Sequence, residues 1–492
     1  MKWERLGSQS SHWMTALTDQ WFFVSLCCLL VMQWVMSAKL PLQEDEMYYW
    51  AWSQQLRLSY FDHPPMVAWL IRISTSVFGN NPFGIRFFAT LTTFTVMFVL
   101  GKLCQTKNLL AWVILTPLIF FGGILMTPDI PFMLFWTLYL YWFIRSMETF
   151  YGWGDDPVAR VYRSEPIHFM SWILGGALLG CGLLSKYTFV FAGACGFFVL
   201  FTKVRTRAWW KGYALHLLIG LLFFTPVLYF NYTHDWASFR YQWGHANEEA
   251  PFRHLWDFIG TQYLLVGGLP FLMLPWILLS FKTISENARN YTSVIFYLFP
   301  LSFFLYKATH NYLEANWALM AYISFWIFAE KLYVHNTIGF IGKGLIILGF
   351  LVPTIATLGL FVHFVHPLSV IKPYQDRLGK IKAVFQVMKE VSEDITATQR
   401  TETVFLPKYQ MVASLRYRGI SNAEQLFPPG RESTFTLERK NPCDQKSILF
   451  VAENTEIVNE LSCFPKRQVL REYPLIVRGE TLSRYFLVEY SQ

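Results

Sequence analysis

Charge is what this sequence has least of. Asp, Glu, Lys and Arg make up 15% of its 492 residues, against about 25% in an ordinary soluble protein. That shortage excludes a water-soluble globular protein for the chain as a whole. Acidic residues are scarcer than basic ones, 33 against 41, for a net charge of +8. The Lys and Arg residues lie between apolar runs, as the cytoplasmic loops of a membrane protein do, which argues against a nucleic-acid partner. No internal repeat and no low-complexity tract is visible, so the paired inverted halves of many transporters are missing. None of the seven cysteines shows metal-site spacing. What is abundant is apolar surface: 54% hydrophobic residues, 18% aromatic, with 20 Trp. This is the composition of a polytopic membrane protein with interfacial aromatics.

Apolar runs fall at 21–38, 84–101, 109–126, 130–147, 169–184, 187–202, 212–230, 256–280, 291–308, 317–333 and 344–364. At about 20 residues per crossing they predict about 11 transmembrane helices. The first run follows Lys2 and Arg5 but is long for a signal peptide, so it reads as a retained span. Lys102 with Lys107, then Arg145 with Arg160 and Arg163, then Lys203 to Lys211, then Lys282 with Arg289, then Lys331 with Lys343 all fall on the side of the N-terminus. The positive-inside rule makes that side cytoplasmic. An odd number of spans then sends residues 367–492 outside. The expected division is a membrane domain over 1–366 and a soluble domain over 367–492.

The opposite face collects the unusual polar residues, which were not used to set the orientation. The loop 39–83 is too polar to span and too apolar to lie free in water. It predicts two short interfacial helices, one through Met47, Tyr48 and Trp50, the other over 67–77 after Pro64-Pro65. After residue 367 long apolar runs stop. A helical period over 378–397 and strand-like runs at 404–406, 447–451, 468–470 and 485–489 predict a small α/β domain. Cys443 and Cys463 are the two cysteines of that part, and can pair if it lies outside the cytoplasm.

Each polar cluster has a plain reading and a chemical one. Asp45 and Glu46 serve as a solvated carboxylate pair, or as a general base for an acceptor hydroxyl. Adjacent carboxylates repel, which favours partial protonation or a bound divalent cation. Asp62-His63-Pro64-Pro65 is a helix-capping turn, or a rigid presentation of Asp62 and His63 to an anionic headgroup or divalent ion. Asp129, in the tight turn Thr127-Pro128-Asp129, caps a helix or orients a sugar hydroxyl. Lys186, in Ser185-Lys186-Tyr187, snorkels, or holds a phosphate on a side otherwise poor in cations; Arg86 is a second cation there. Glu314, Asn316 and Trp317 offer headgroup anchoring, or sugar recognition with Trp stacking. The loop 231–255 carries His234, Asp235, Arg240, His245, Glu248 and Glu249, a surface segment or a lid; a metal site from His245 and a distant carboxylate such as Asp62 is the remaining metal reading.

Five of these segments, taken in order, resemble a known group. Asp45-Glu46-x-Tyr48-Tyr49-Trp50, Tyr60-Phe61-Asp62-His63-Pro64-Pro65-Met66-Val67-Ala68-Trp69-Leu70, Phe83-Gly84-x-Arg86, Thr127-Pro128-Asp129 and Leu183-Leu184-Ser185-Lys186-Tyr187-Thr188 are similar to motifs of the bacterial protein-mannosyltransferase-like family of the glycosyltransferase C superfamily. That group includes lipid A aminoarabinose transferase and related lipopolysaccharide glycosyltransferases. The resemblance spans about residues 40–330. It implies a glycosyltransferase C fold and inverting transfer of a sugar from undecaprenyl phosphate at the periplasmic face. It implies Asp45 as catalytic aspartate with Glu46 beside it, and Lys186 on the carrier phosphate. Asp129 falls near the donor, Asp62 and Tyr187 are candidates for donor or acceptor binding, and Glu314 to Trp317 resembles a Glu-x-Asn-Trp turn. His63 stands where the aminoarabinose enzymes have lysine, which makes a phosphate contact there pH-dependent.

The expected protein is therefore a polytopic α-helical membrane glycosyltransferase of the bacterial inner membrane. It has interfacial helices in its first outer loop and a small periplasmic α/β domain. Its partners are a polyprenyl-phosphate sugar, a lipid or glycan acceptor, and membrane lipids. The favoured acceptor is lipid A or lipopolysaccharide; a protein or a growing glycan is the alternative acceptor, and a transporter or lipid flippase the alternative of another class. Asp45 and Lys186 are expected to converge on one extracytoplasmic cavity.

Overall fold

The computed structural model describes residues 2–104, 107–150, 169–204, 207–247, 252–334, 339–428, 431–437, 440–453 and 461–492. Arg160, Arg163, Glu248 and Glu249 lie outside the described residues, as does the side chain of His245. The chain divides into two compact units. The first takes in Met1–Ser37, His63–Val67 and Arg86–Gly359; the second takes in Ala38–Asp62, Ala68–Ile85 and Leu360–Gln492.

The first unit is helical. Long helices cover Pro82–Leu103, Asp129–Phe150, Phe169–Leu183, Val190–Lys203, Arg207–Thr233, Ala288–Ala308 and Leu319–Val334, on or close to the apolar runs. Two runs are not single helices. The run at 109–126 breaks into Asn108–Val113, Pro117–Phe120 and a short 3-10 turn, because Pro117 has no N–H to continue the ladder. The run at 256–280 breaks at Gly267, which has φ +85, and is restarted by prolines at the head of Leu269–Leu272 and Leu274–Leu279. Among the described residues, four helices are long and apolar enough to cross a membrane, or five if the pair bent by 120° at 125–128 counts as one. This is a multi-pass membrane protein.

Small residues let these helices approach. In Phe169–Leu183, a Cβ at Gly176 would lie 2.6 Å from Ile219, and one at Gly180 would lie 2.3 Å from Phe223 of Arg207–Thr233. This is the small-xxx-small spacing of membrane helix pairs. Facing them is an aromatic core. Trp136, Tyr139, Phe143, Phe189 and Phe296 are all at most 1% exposed. Phe189 meets Trp136 edge-on at 5.7 Å and Phe132 at 5.5 Å.

In the second unit the helix Glu44–Gln54 starts where three acids, Glu44, Asp45 and Glu46, meet the positive end of the helix dipole. Glu46 reaches back to accept from the Gln43 backbone N–H at 3.0 Å, closing a capping box. The buried face, with Met47, Tyr48, Tyr49, Trp50 and Trp52, packs on the helix Tyr409–Tyr417. A second expected helix, Met66–Phe78, is present. Residues 360–492 supply a five-stranded sheet: β1 Val404–Leu406, β2 Ala423–Gln425, β3 Ser447–Ala452, β4 Lys466–Val477 and β5 Glu480–Ser491, in the order β2-β1-β3-β5-β4. β1 is parallel to β2 and β3, while β5 is antiparallel to β3 and β4. The β4–β5 hairpin turns at Arg478 and Gly479, both with positive φ, as a tight two-residue turn requires. The helix Arg377–Ala397 is capped by Asp376, which accepts from the Gly379 N–H at 2.7 Å. Cys443 and Cys463 are joined as a disulfide. The strand-like runs and the 378–397 helix are found; the helix Tyr409–Tyr417 and strand β2 were not legible in the sequence.

Gly182 sits at a crowded turn. Its carbonyl accepts from the backbone N–H groups of Ser185 and Lys186, and a Cβ there would lie 2.3 Å from the ring of Phe189. Phe189 is locked among aromatics and cannot yield. Gly182→Ala is therefore expected to destabilise the protein by about 1–3 kcal/mol, read as a lower thermal unfolding midpoint in detergent. An unchanged midpoint would show that this contact is not tight.

Candidate active site

The second unit gathers the carboxylates of the loop 39–62 around three residues from its C-terminal part. Tyr48 is 1% exposed, and its hydroxyl donates to Asp62 at 2.5 Å while accepting from the Thr434 backbone N–H at 2.8 Å. Arg431 donates to the other Asp62 oxygen at 2.6 Å, and its guanidinium lies 4.3 Å over the ring of Tyr409. Tyr409 in turn donates to Asp45 at 3.1 Å. The Phe61 N–H donates to the Thr434 hydroxyl at 3.2 Å. The rings close round this chain of polar contacts: Tyr48 lies 4.4 Å from Tyr409 and 5.2 Å from Phe435.

The electrostatics follow from the packing. Burial raises the Asp62 carboxyl above its ordinary range, while Arg431 and the Tyr48 hydroxyl pull it down. Burial, and then the Asp62 charge, hold the Tyr48 phenol well above its ordinary value, so it stays a donor. Asp45 is exposed to solvent, yet the protein packed about it raises its carboxyl. The Tyr409 hydrogen bond and the Arg431 charge oppose that shift; Asp62 and Glu46 add to it. Solvent access with a raised carboxyl describes a base in a recess. Glu46 is fully buried and its carboxylate serves the capping box, so the neighbouring acids differ in environment.

A separate cluster forms in the first unit. Lys186 Nζ lies 2.7 Å from one oxygen of Asp129, and Asn316 Nδ2 donates to the other at 2.6 Å. The ion pair is nearly buried, with side-chain exposures of 10% and 12%. Three turns thus meet: the start of Asp129–Phe150, the turn 184–186, and the 3-10 turn Ala315–Ala318. The last is fixed by Gln262, which donates to the Ala315 carbonyl at 2.8 Å and accepts from Tyr322 at 2.7 Å. The segment holding His63 is tied to the second turn, as the Met66 N–H donates to the Leu184 carbonyl at 3.0 Å.

Other expected site residues sit less openly. Arg86 is 1% exposed and donates to the Ser37 carbonyl at 3.3 Å. The ring of Tyr187 packs edge-on to Phe239 at 5.3 Å. Glu314 is exposed, and Trp317 lies against Phe304. Among the described residues, no group of three or more His, Cys, Asp or Glu is arranged to hold a metal ion. Asp62, read as a ligand or donor contact from the sequence, spends its carboxylate on Arg431 and Tyr48. Sequence reasoning missed Tyr409, Arg431, Thr434 and Gln262. Arg431 precedes a short polar turn with no motif around it, so nothing local marks it.

The fold is that of a multi-pass helical membrane protein, and it is similar to known ones. ArnT from Cupriavidus metallidurans, in the apo state and bound to undecaprenyl phosphate, matches with a TM-score of 0.60 and 12% identity, over 95% of this chain and 98% of that one. A sequence model of the dolichyl-phosphate-mannose-protein mannosyltransferase family matches residues 62–155. Lipid A galacturonosyltransferase RgtD of Rhizobium johnstonii is 25% identical over 297 residues, so the match spans 57% of this chain and 58% of that protein. Residues 62–155 are thus similar to that mannosyltransferase family, and the fold is similar to that of ArnT.

The Asp62 pocket makes one energetic claim that can be measured. Tyr48→Phe keeps the ring but removes one bond from a buried carboxylate and orphans the Thr434 N–H. A loss of about 1–3 kcal/mol is expected in chemical unfolding of the full chain. A loss below about 0.5 kcal/mol would show that Arg431 alone suffices for Asp62.

Proposed function

We propose that this protein is an inverting glycosyltransferase that moves a sugar from undecaprenyl phosphate to lipid A or lipopolysaccharide at the periplasmic face of a bacterial inner membrane. The observation that carries the reading is Asp45: a solvent-reached carboxylate, raised by its surroundings and held by Tyr409, at the head of a helix packed on Tyr409–Tyr417 within the second unit. The galacturonosyltransferase relative and the fold shared with ArnT support the substrate class.

In this reading the acceptor hydroxyl oxygen attacks the anomeric carbon and its bond to the carrier phosphate breaks. Asp45 takes the hydroxyl proton, the sugar inverts, and undecaprenyl phosphate leaves with one more negative charge. Lys186 supplies the balancing cation, held in direction by Asp129 and Asn316. Lys has three N–H donors, and the Asp129 contact uses one of them. His63 and Arg86 are the further cations for the phosphate, and Glu314, Asn316 and Trp317 the sugar-facing turn. The N-terminus is cytoplasmic and residues 367–492 are periplasmic; the Cys443–Cys463 disulfide is in keeping with an oxidising compartment.

Membranes carrying the protein, supplied with undecaprenyl-phosphate sugar and lipid A, are expected to give a lipid A product heavier by one sugar in mass spectrometry. Asp45→Asn should remove about 99% or more of that transfer with the fold retained; normal transfer by the variant rules out Asp45 as base. The rate must also fall as pH drops through the raised Asp45 value, above the ordinary carboxylate range, because only the ionised form accepts a proton. Tyr409→Phe removes a hydrogen bond that favours the ionised form, so the acidic limb of kcat/KM should move to higher pH. A limb that stays in position would separate Tyr409 from the base. Lys186→Gln is expected to lower kcat/KM for the donor by about 10²–10³-fold.

A further inference from the structure

The apolar helix that ends at Val365 leads into a short segment that is firmly pinned and yet exposes apolar side chains. Two sets of bonds pin it. His363 accepts from the Leu368 backbone N–H at 3.0 Å through one ring nitrogen and meets Asp376 at 3.0 Å through the other, and Asp376 caps the helix Arg377–Ala397. Arg478, in the β4–β5 turn, donates to the Leu368 carbonyl at 3.0 Å and to the Ile371 carbonyl. Within this fixed segment Val370 is 82% exposed and Tyr374 54%. Apolar side chains held in the open call for a partner. The span Phe340–Val365 ends only five positions before Val370, which puts the headgroup layer of the bilayer within reach.

The charges say which lipid. From His366 to Lys389 the sequence has five Lys or Arg residues and one acid, Asp376, whose carboxylate is already used by His363 and the Gly379 N–H. Lys372 Nζ lies 5.9 Å from the centre of the Tyr374 ring, and Lys382 Nζ 4.6 Å from that of Phe364. Phe364 belongs to the last turn of the span, so Lys382 is held at that level. Among the described residues no carboxylate pairs with Lys372, Arg377, Lys380 or Lys382. Arg377 and Lys380 also stand in the first turn of their helix, which has no acid, where the positive end of the helix dipole disfavours them. Anions from outside the chain offset both effects. Polybasic segments next to a span draw anionic headgroups in this way.

We propose that residues 366–382 form a collar that binds anionic phospholipid in the leaflet where this span ends, with Val370 and Tyr374 among the headgroups and Lys372 and Lys382 on their phosphates. The collar does not depend on transfer at Asp45. The full-length protein is placed in nanodiscs of phosphatidylcholine alone, with phosphatidylglycerol, or with lipid A. Each is treated with an amine-acetylating reagent, and every lysine is read by mass spectrometry. Phosphatidylglycerol should slow acetylation of the exposed Lys372 and Lys382 about fivefold. Lys466 is the internal control, being exposed at the start of β4, about 35 Å along that strand from its end at Val477. Its rate should not change. In native mass spectrometry Lys372→Gln and Lys382→Gln should each weaken phosphatidylglycerol retention about fivefold, whereas Lys372→Arg and Lys382→Arg should keep it. Equal acetylation with and without phosphatidylglycerol, slowing that extends equally to Lys466, or unchanged retention in both Gln variants would overturn the collar. Protection by lipid A and not by phosphatidylglycerol would also overturn it, and would assign these lysines to lipid A phosphates instead.

Discussion

A carboxylate withdrawn from water has to be compensated where it lies, and Asp62 is the case on which this protein's second unit turns. Its compensation comes from Tyr48, in the same loop 39–83, and from Arg431, far along the chain. Isolated buried charge is costly by several kcal/mol. The loop cannot take this form until the C-terminal residues arrive. The Arg431 guanidinium then also covers Tyr409, whose hydroxyl reaches Asp45. One charge pair thereby sets the position of two acidic side chains that sequence alone treats as separate motifs.

This gives the C-terminal part a role that its composition does not announce. Tyr409, Arg431, Thr434 and Phe435 are bound into the surroundings of the first-loop helix Glu44–Gln54 rather than into a module standing by itself.

In the first unit the governing constraint is different. An ion pair between Lys186 and Asp129, nearly sealed from water, is tolerable because both carboxylate oxygens are used and the lysine is held by short turns. Those turns exist because glycines let helices close up beneath them and because Phe189 fills the space at Gly182. Packing in the membrane helices is thus what aims the polar groups at their ends.

Composition and apolar periodicity determined the membrane class, most of the helices and the helix-and-strand character of residues 367–492, because both are local properties of the chain. The five motif segments carried the family resemblance for the same reason, and Asp45, Asp129 and Lys186 were legible in them. Breaks at Pro117 and Gly267 were not, since an apolar run reads alike whether its backbone is one helix or three. Nor was the partner of any charge. That Lys186 pairs with Asp129 and Asn316, that Asp62 is neutralised by Arg431, and that Tyr409 bonds Asp45 depends on residues 57 to 369 positions apart. Only tertiary folding selects such pairs, because the cost of an unpaired buried charge appears only once water has been removed from around it.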